Sequence, residues 1–591
     1  MTPVDPVTTE IIRNAFLAAA EDMRTTLWRS AFSPVIYEMK DCSVALFDEQ
    51  AQLLAQAPGL PFFLGALGEV VQVVIDRVGL AHFHEGDVYI LNDPYLTGSH
   101  LNDVDILSPV MYQGRVAGFA ITRAHWRDLG GKDAAYAVDS TEIYQEGLRL
   151  GVVKLADRGH LREDVVDILT RNSRLPTSLK GDMHAQIAAC RIGERRCREL
   201  LDRFGPATVR NSMAAVFATT EALERSTIAA IPDGVYTAEG YQDNDFLSDD
   251  PIPVRVKVLV QGDRMTVDTH GSSRQRVACT NCGLAQTLSA VRLAYKFLIR
   301  PDLGVTGGSF RPLKIEVERG SIFAAEEPAA CLQYGTHTML LVDLIIRALA
   351  LALPERVAAG LPGDAWNVIM VQHRPDGGIR AAWGEATAGG WGANAQADGE
   401  NAVIHSAAGD FRNFPVESME SKFPLRIRRY TLGQDSGGPG WQRGGLNVVR
   451  EYEITGDHVF LSLWFDRTRT PAWGLFGGKA GAAPEVILHP DTAQTQRLLK
   501  VNHLPLKAGT IFRVASGGGG GYGSPQDRPV ERVMEDLVDG YISREAAEKE
   551  YSLPVKMRQW LQVDDQQQEA RPRRRRKKLR EGWWYDDYDD D

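Results

Sequence analysis

Residues 92–131, NDPYLTGSHLNDVDILSPVMYQGRVAGFAITRAHWRDLGG, constrain the fold more than any other stretch of the chain. Two apolar runs, 104–111 and 116–122, flank Tyr112-Gln113-Gly114-Arg115. Apolar runs on either side of a short Gly-containing turn predict a β-hairpin. With the turn centred on Gln113 and Gly114, Asn102 faces His125 and Asp103 faces Ala124. The side chains capable of chemistry gather at the two ends: Asp93, His100, Asp103 and Asp105 early, His125 and Asp128 late. The hairpin therefore brings together groups that are far apart in the chain.

That end of the hairpin has the composition of a metal site. His100 and Asp103 are three apart, a spacing at which a helical turn or tight loop directs both side chains one way. His125 adds a third donor from the facing strand. Two imidazoles with carboxylate oxygens suit Zn²⁺, and also Mn²⁺ or Fe²⁺. Fewer than four protein ligands leave a position for water or substrate, as catalytic sites do. The same residues also suit a hydrogen-bonded turn in which His and Asp satisfy backbone groups, and His-x-x-Asp spacing alone does not choose between the two.

Composition bounds the class. The chain has 591 residues, 44% hydrophobic and 24% charged, which is room for several globular domains and a large core. A net charge of −11 argues against nucleic acid as the main partner. The six cysteines, at 42, 190, 197, 279, 282 and 331, are scattered and form no disulfide framework. The N-terminal MTPVDPVTTE has neither the basic nor the apolar region of a signal peptide, so a cytoplasmic protein is expected. The most apolar helical run, 339–353, carries Asp343 and Arg347 and reads as a buried or interface helix, not a membrane span.

Along the chain, Asp5-Pro6 reads as a helix start, and Ile12, Ala15, Phe16, Ala19, Met23 and Leu27 repeat at helical spacing. Strands are predicted over 42–47 and 52–56. Asp41 lies at the mouth of that second hairpin, as a strand-end cap or as a ligand. Residues 60–78 read as helix after Pro61, 134–146 as polar loop, and 181–204 and 211–231 as helices. Residues 1–231 thus form a first region bearing the metal site. From Gly234 the pattern changes to alternating strands, and 232–555 form a second region of sheet, helix and Gly-rich loops. The expected class is α+β, a large mixed protein with antiparallel hairpins around a metal site.

Other notable residues read mainly as framework. His82 and His84 read as solvated, and Cys279-Thr-Asn-Cys282 is a lone pair, weak as a zinc ribbon. His337 reads as a helix-start hydrogen bond, with approach to a substrate as the alternative. Arg412, Arg443 and Arg450 read as salt-bridged residues, with anion contact as the alternative. Glycine clusters at 389–392, 435–438 and 517–521 permit backbone conformations closed to other residues, for cradling a phosphate or for tight turns. No GxxxxGK[ST] loop occurs. In the final segment, 556–591, a basic block RPRRRRKKLR precedes an acidic DDYDDD, which reads as solvated and disordered.

NDPYLTGSHLNDV, RAHWRDLGG, GGWGA at Gly389, RNFPVE at Arg412, DSGGPGWQRGGLNVVREY at Asp435, WGLFGG at Trp473 and GGGGYGSP at Gly518 form one collinear set. This set resembles the hydantoinase B family over nearly the whole chain. That family includes the B subunits of N-methylhydantoinases and ATP-dependent lactamases, part of 5-oxoprolinase, and the α subunits of acetone-carboxylase-type enzymes. The resemblance implies a metal held by His100, Asp103 and His125, with Asp41 as the fourth ligand. Asp128 is the candidate for orienting His125. The resemblance also implies a hetero-oligomer with a hydantoinase A-type subunit, of the sugar-kinase/actin class, which carries ATP and Mg²⁺ and phosphorylates a carbonyl. This chain would then finish the hydrolysis of a cyclic amide: a hydantoin, a lactam or 5-oxoproline. Two alternatives stand beside this: a subunit of a ketone carboxylase, in which an activated enol attacks CO₂, and a non-catalytic scaffold with a structural metal. After His125 the chain departs from the common pattern. Many members have a second His and then Ala, where this chain has Trp126 and Arg127. The resemblance therefore carries the metal site and not the substrate.

Overall fold

Asp5 accepts a hydrogen bond from the Thr8 N–H and Pro6 occupies the first turn, so the chain enters a 25-residue helix, Pro6–Ser30. The computed structural model describes residues 5–409 and 411–552, and the charged segment 556–591 lies outside them. The buried stripe of this helix, Ile12, Phe16, Ala19, Met23 and Leu27, packs beside a second helix, Pro176–Phe204. Both cover one face of a seven-stranded antiparallel sheet. Its strands are β1 (Cys42–Phe47), β2 (Leu53–Gln56), β3 (Val88–Leu91), β4 (Asp103–Tyr112), β5 (Arg115–His125), β6 (Val153–Asp157) and β7 (His160–Leu161), in the order β2-β1-β5-β4-β3-β6-β7. The helix Leu67–Val78 covers the other face. Successive strand residues therefore feed different cores: Val44 and Leu46 the first, Ala45 and Phe47 the second. Gly193 lets the long helix lie close to the sheet, since a Cβ there would meet Met23 Sδ at 2.6 Å and Ala120 Cβ at 2.9 Å. Gln186 ties it to the hairpin, accepting the Trp126 indole N–H at 2.8 Å and donating to the Val104 carbonyl at 3.0 Å.

The hairpin turns where expected, with Gln113 and Gly114 both at positive φ, 49° and 75°, as a two-residue turn requires. Its register, however, is one residue away from the expected one over most of its length. Tyr112 faces Arg115 and Met111 faces Val116, but then the register shifts and Val110 faces Gly118. From there Asp103 faces His125 instead of Ala124. Asn102 is not opposite His125 but clamps Trp126 with two hydrogen bonds of 2.7 Å. The extra residue is Ala117. The next, Gly118, brings β5 against β1, where a Cβ would lie 2.3 Å from the Phe47 carbonyl oxygen.

Residues 60–78 also differ, forming two helices, Pro61–Leu64 and Leu67–Val78, instead of one. Between them Gly65 is pressed against Ser289 and its carbonyl accepts from Arg292, contacts that hold the break. The helices expected at 181–204 and 211–231 run Pro176–Phe204 and Pro206–Ile228, each opening on a proline.

A second sheet follows, β8 (Gly234–Gln242), β9 (Ile252–Gln261), β10 (Arg264–Asp268) and β11 (Leu313–Glu316), in the order β11-β10-β9-β8. The helices Leu284–Leu298 and Tyr334–Ala348 share its core. Two further sheets share a core that includes Val368, Leu461, Tyr452 and Phe512. One contains β12 (Asn367–His373), β13 (Ile379–Glu385), β16 (Val459–Trp464) and β19 (Lys500–Leu506); the other contains β14 (Leu425–Leu432), β15 (Val448–Ile454), β17 (Glu485–Leu488), β18 (Gln496–Leu498) and β20 (Ile511–Ala515). No helix among the described residues is long and apolar enough to cross a membrane.

The glycines at 517–521 lie at the centre of a bundle of backbone segments. Their N–H groups donate to the carbonyls of Ala482, Gly445, Gly360 and Lys479, and their carbonyls accept from Gly390, Gly438, Ala393 and Leu475. The bonds thus radiate to several neighbours, not to two as in a sheet. The spacing admits no side chain: a Cβ on Gly519 would lie 1.9 Å from the Trp391 carbonyl oxygen. The glycine clusters around this run are there for close backbone approach.

Candidate metal centre

The end of the hairpin gathers His100, Asp103 and His125, all buried. His100 Nε2 is 2.9 Å from Asp103 Oδ1 and 3.2 Å from His125 Nδ1, and His125 Nδ1 is 3.2 Å from the same carboxylate oxygen. Asp41 Oδ2 stands 4.0 Å from His125 Nδ1. Asp41 is presented by Lys40 in the left-handed region (φ 65°), by its own N–H bonded to Val35, and by its carbonyl, which accepts the His125 N–H. The Arg412 N–H in turn holds the Met39 carbonyl at 2.9 Å.

The donor set fits a divalent ion. His100 Nδ1 lies 3.0 Å from the Leu332 carbonyl, an acceptor only, so that nitrogen carries a proton and Nε2 of the neutral ring turns a lone pair toward Asp103 and His125. Lone pairs converging on one point call for a cation there. Two imidazoles with carboxylates suit Zn²⁺, Mn²⁺ or Fe²⁺. Burial raises the Asp103 carboxyl; with no ion bound, protonated imidazoles would outweigh it and hold the group well below the ordinary carboxylate range, and a bound cation would take that role when the rings are neutral. Burial pushes Asp41 up to about 6, against the pull of His125.

The surroundings come largely from residues that the sequence left unmarked. Glu146 accepts the N–H groups of Cys331 and Leu332 at 3.1 and 3.0 Å, and so fixes the carbonyl that orients His100. The Tyr334 hydroxyl donates to Asp103 Oδ2 at 3.1 Å, and the Tyr136 hydroxyl lies 3.4 Å from His125 Nε2. Burial keeps both phenols protonated. With His125 Nδ1 turned to the cluster, the His125 Nε2–H is the donor and the Tyr136 oxygen accepts. The polarity of 134–146 carried no sign of Tyr136. In the helix Tyr334–Ala348, His337 sits in the core against Phe323, pushed down to about 3 by burial, while Tyr334 at the helix start faces the site.

Asp128 is not brought to the His125 ring. Its carboxylate takes the Arg174 N–H and guanidinium. Asp93 caps Tyr95 at 3.1 Å. Asp105 forms a two-pronged buried ion pair with Arg123, at 2.9 and 2.7 Å, and Arg123 also holds the Thr97 carbonyl just before His100. Both side chains have no exposed surface. Asp105→Ala leaves a buried charge unpaired and is expected to cost about 3–5 kcal/mol in urea unfolding. Asp105→Leu combined with Arg123→Met recovers most of that. Equal stability of Asp105→Ala and the parent chain would rule this out.

The remaining candidates sit apart from the cluster. Cys279 and Cys282 are buried thiols bonded to the Val138 carbonyl and to Thr287. Arg443 pairs with Asp536, and Arg450 with Glu385. His82 is exposed, and His84 lies 3.7 Å from Asp87.

Two cavities, of about 100 and 110 Å³, meet at the cluster, and Asp41, His125 and Tyr136 line both. Their outer walls are drawn from Asn367, Trp383, Phe411 and Tyr334, so the centre lies where the first sheet meets the later layers.

The chain is similar to known proteins over most of its length. It is 31% identical to the putative B subunit of the D-/L-hydantoinase of Pseudomonas sp. (strain NS671), over 93% of this chain and 95% of that one. It is 30% identical to the beta subunit of the caprolactamase of Pseudomonas jessenii, over 94% and 97%. The crystal structure of the ATP-dependent caprolactamase of that organism superposes with a TM-score of 0.86 at 29% identity, covering 93% of this chain and 96% of that chain. The nucleotide-free structure of acetone carboxylase shares the fold, with a TM-score of 0.84 at 16% identity over 96% and 84%. The Hydantoinase B/oxoprolinase family model matches residues 5–525, and the chain belongs to that family of enzymes.

Proposed function

We propose that this chain is the B-type subunit of a cytoplasmic, ATP-dependent cyclic-amide hydrolase, opening a hydantoin, lactam or 5-oxoproline ring. The observation that carries the reading is the His100–Asp103–His125 cluster at the junction of two cavities. The chain's likeness to subunits of a hydantoinase and of a caprolactamase supports ring amides as substrates. Six free cysteines suit a reducing compartment.

An amide is a poor electrophile, so an A-type partner carrying ATP and Mg²⁺ would first phosphorylate the ring carbonyl oxygen. Water then adds to that carbon, the ring C–N bond breaks and expels the amine to leave an acyl phosphate, and a second water hydrolyses it to phosphate and an open amino acid or carbamoyl product. Asp41, His100, Asp103 and His125 would hold a divalent ion, which supplies Lewis acidity and water acidified toward neutrality. Tyr334 fixes one oxygen of Asp103 and leaves the other for the cluster. Tyr136 borders both cavities and accepts the His125 Nε2–H, which leaves Nδ1 to face the cluster.

The chain mixed with its A-type subunit is expected to hydrolyse ATP and open rings together, and the chain alone to do neither. Hydantoins, lactams and 5-oxoproline are assayed first, then ketones with labelled bicarbonate. Label entering a carboxylate would replace the hydrolase reading by a ketone carboxylase, and steady ATP hydrolysis by the isolated chain would overturn the division of labour.

A further inference from the structure

The cavity on the Trp383 side of the cluster contains a guanidinium with no carboxylate bonded to it among the described residues. Arg127 stands on its wall with Ala382 and Trp383, and Asp41 and His125 complete the same cavity. Its terminal nitrogens donate to the Ala382 carbonyl and to Ser178 Oγ, each at 3.2 Å, and neither acceptor is charged. Its Nε–H is buried and has no acceptor among the described residues, and the same is true of the Trp383 indole N–H. Nearby carboxylates are occupied. Asp182 accepts the N–H groups of Phe32 and Ser33 at 2.7 and 2.9 Å, and Asp128 is taken by Arg174. Glu385, on the same wall, pairs with Arg450 and accepts the Phe414 N–H.

Buried donors without partners are costly, and an unpaired guanidinium costs more, so an oxyanion that met these donors would gain binding energy. A guanidinium N–H and an indole N–H from residues lining one cavity suit a planar oxyanion. Resting on the function proposed above, we infer that Arg127 and Trp383 form an oxyanion subsite beside the metal cluster, and that the ring substrate of this chain carries a carboxylate. One other source of the same chemistry exists, the phosphoryl group of the activated substrate.

The test is ligand binding to the full chain containing its divalent ion, followed by calorimetry, with 5-oxoproline, its uncharged analogue 2-pyrrolidinone, and inorganic phosphate. The carboxylate-bearing ring is expected to bind on the order of 10- to 100-fold more tightly than the uncharged one, the usual worth of a hydrogen-bonded charge. Arg127→Met should erase that difference and leave metal content and the affinity for 2-pyrrolidinone unchanged. Trp383→Phe, which keeps an aromatic ring and removes the N–H, should lower the preference by several-fold, and it carries the test if Arg127→Met does not fold. Equal binding of the two rings, or no binding of either, overturns the inference, as does a preference that survives Arg127→Met. Arg127-dependent binding of phosphate without binding of 5-oxoproline assigns the subsite to the phosphoryl group and overturns the carboxylate. ATP-dependent turnover of uncharged rings with the partner subunit would meanwhile leave the hydrolase reading standing, so the two failures are distinguishable.

Discussion

Asp103→Ala is expected to strip the chain of its divalent ion and to abolish product formation. Asp103 supplies the oxygen that both imidazoles approach, at 2.9 and 3.2 Å. Elemental analysis of the purified chain should find about one transition-metal ion per chain, and almost none in Asp103→Ala or His100→Ala. Turnover with the A-type partner should fall on the order of 10³-fold or more, since a metal at the reacting centre is worth several kcal/mol. Glu146→Gln should do less, roughly 10- to 100-fold in metal affinity, because it acts on His100 only through the Leu332 backbone. Full activity in metal-free protein would end the metal assignment, and a loss in Glu146→Gln as large as in Asp103→Ala would contradict the ranking.

Gly519→Ala is expected to destabilise the fold severely, although it adds a single methyl group. The added Cβ would lie 1.9 Å from the Trp391 carbonyl oxygen, and the obstacle is backbone already bonded into its own neighbours, with no rotamer to change. The cost should exceed about 4 kcal/mol, the range of severe backbone or packing conflicts. Gly151→Ala is the control, because nothing lies within 4 Å of its added Cβ and its φ is not positive. That control should stay within roughly 0.5 kcal/mol of the parent, or gain slightly from a stiffer unfolded chain. Urea unfolding and soluble yield compare the two, and similar midpoints would mean that the glycine bundle yields more easily than its spacing indicates.

Much of the fold was legible because it depends on local rules. Asp5-Pro6 and the apolar repeat determine the first helix, the turn at Gln113-Gly114 determines the hairpin, and the alternation after Gly234 determines the second sheet. The carboxylate and imidazoles of the centre were legible from the ends of that hairpin. Their facing was not. A strand has a side-chain period of two, so a one-residue slip sends a whole strand's side chains to the other face. Without the extra residue at Ala117, His125 would pair with Asn102 and point away from Asp103. That extra residue is accommodated by the close contact of Gly118 with Phe47 on a strand outside the hairpin. Long-range packing likewise supplied Tyr334, the Leu332 carbonyl held by Glu146, and the wall bearing Trp383, none of which is near the hairpin in sequence. The glycines could be read as backbone room, but only the assembled chain shows what fills it, because the carbonyls that exclude a Cβ come from segments far away in sequence. The sequence by itself determined which donors exist and the turn that brings them near. The tertiary structure decided which face they share, what holds them there, and which guanidinium stands on the cavity wall beside them.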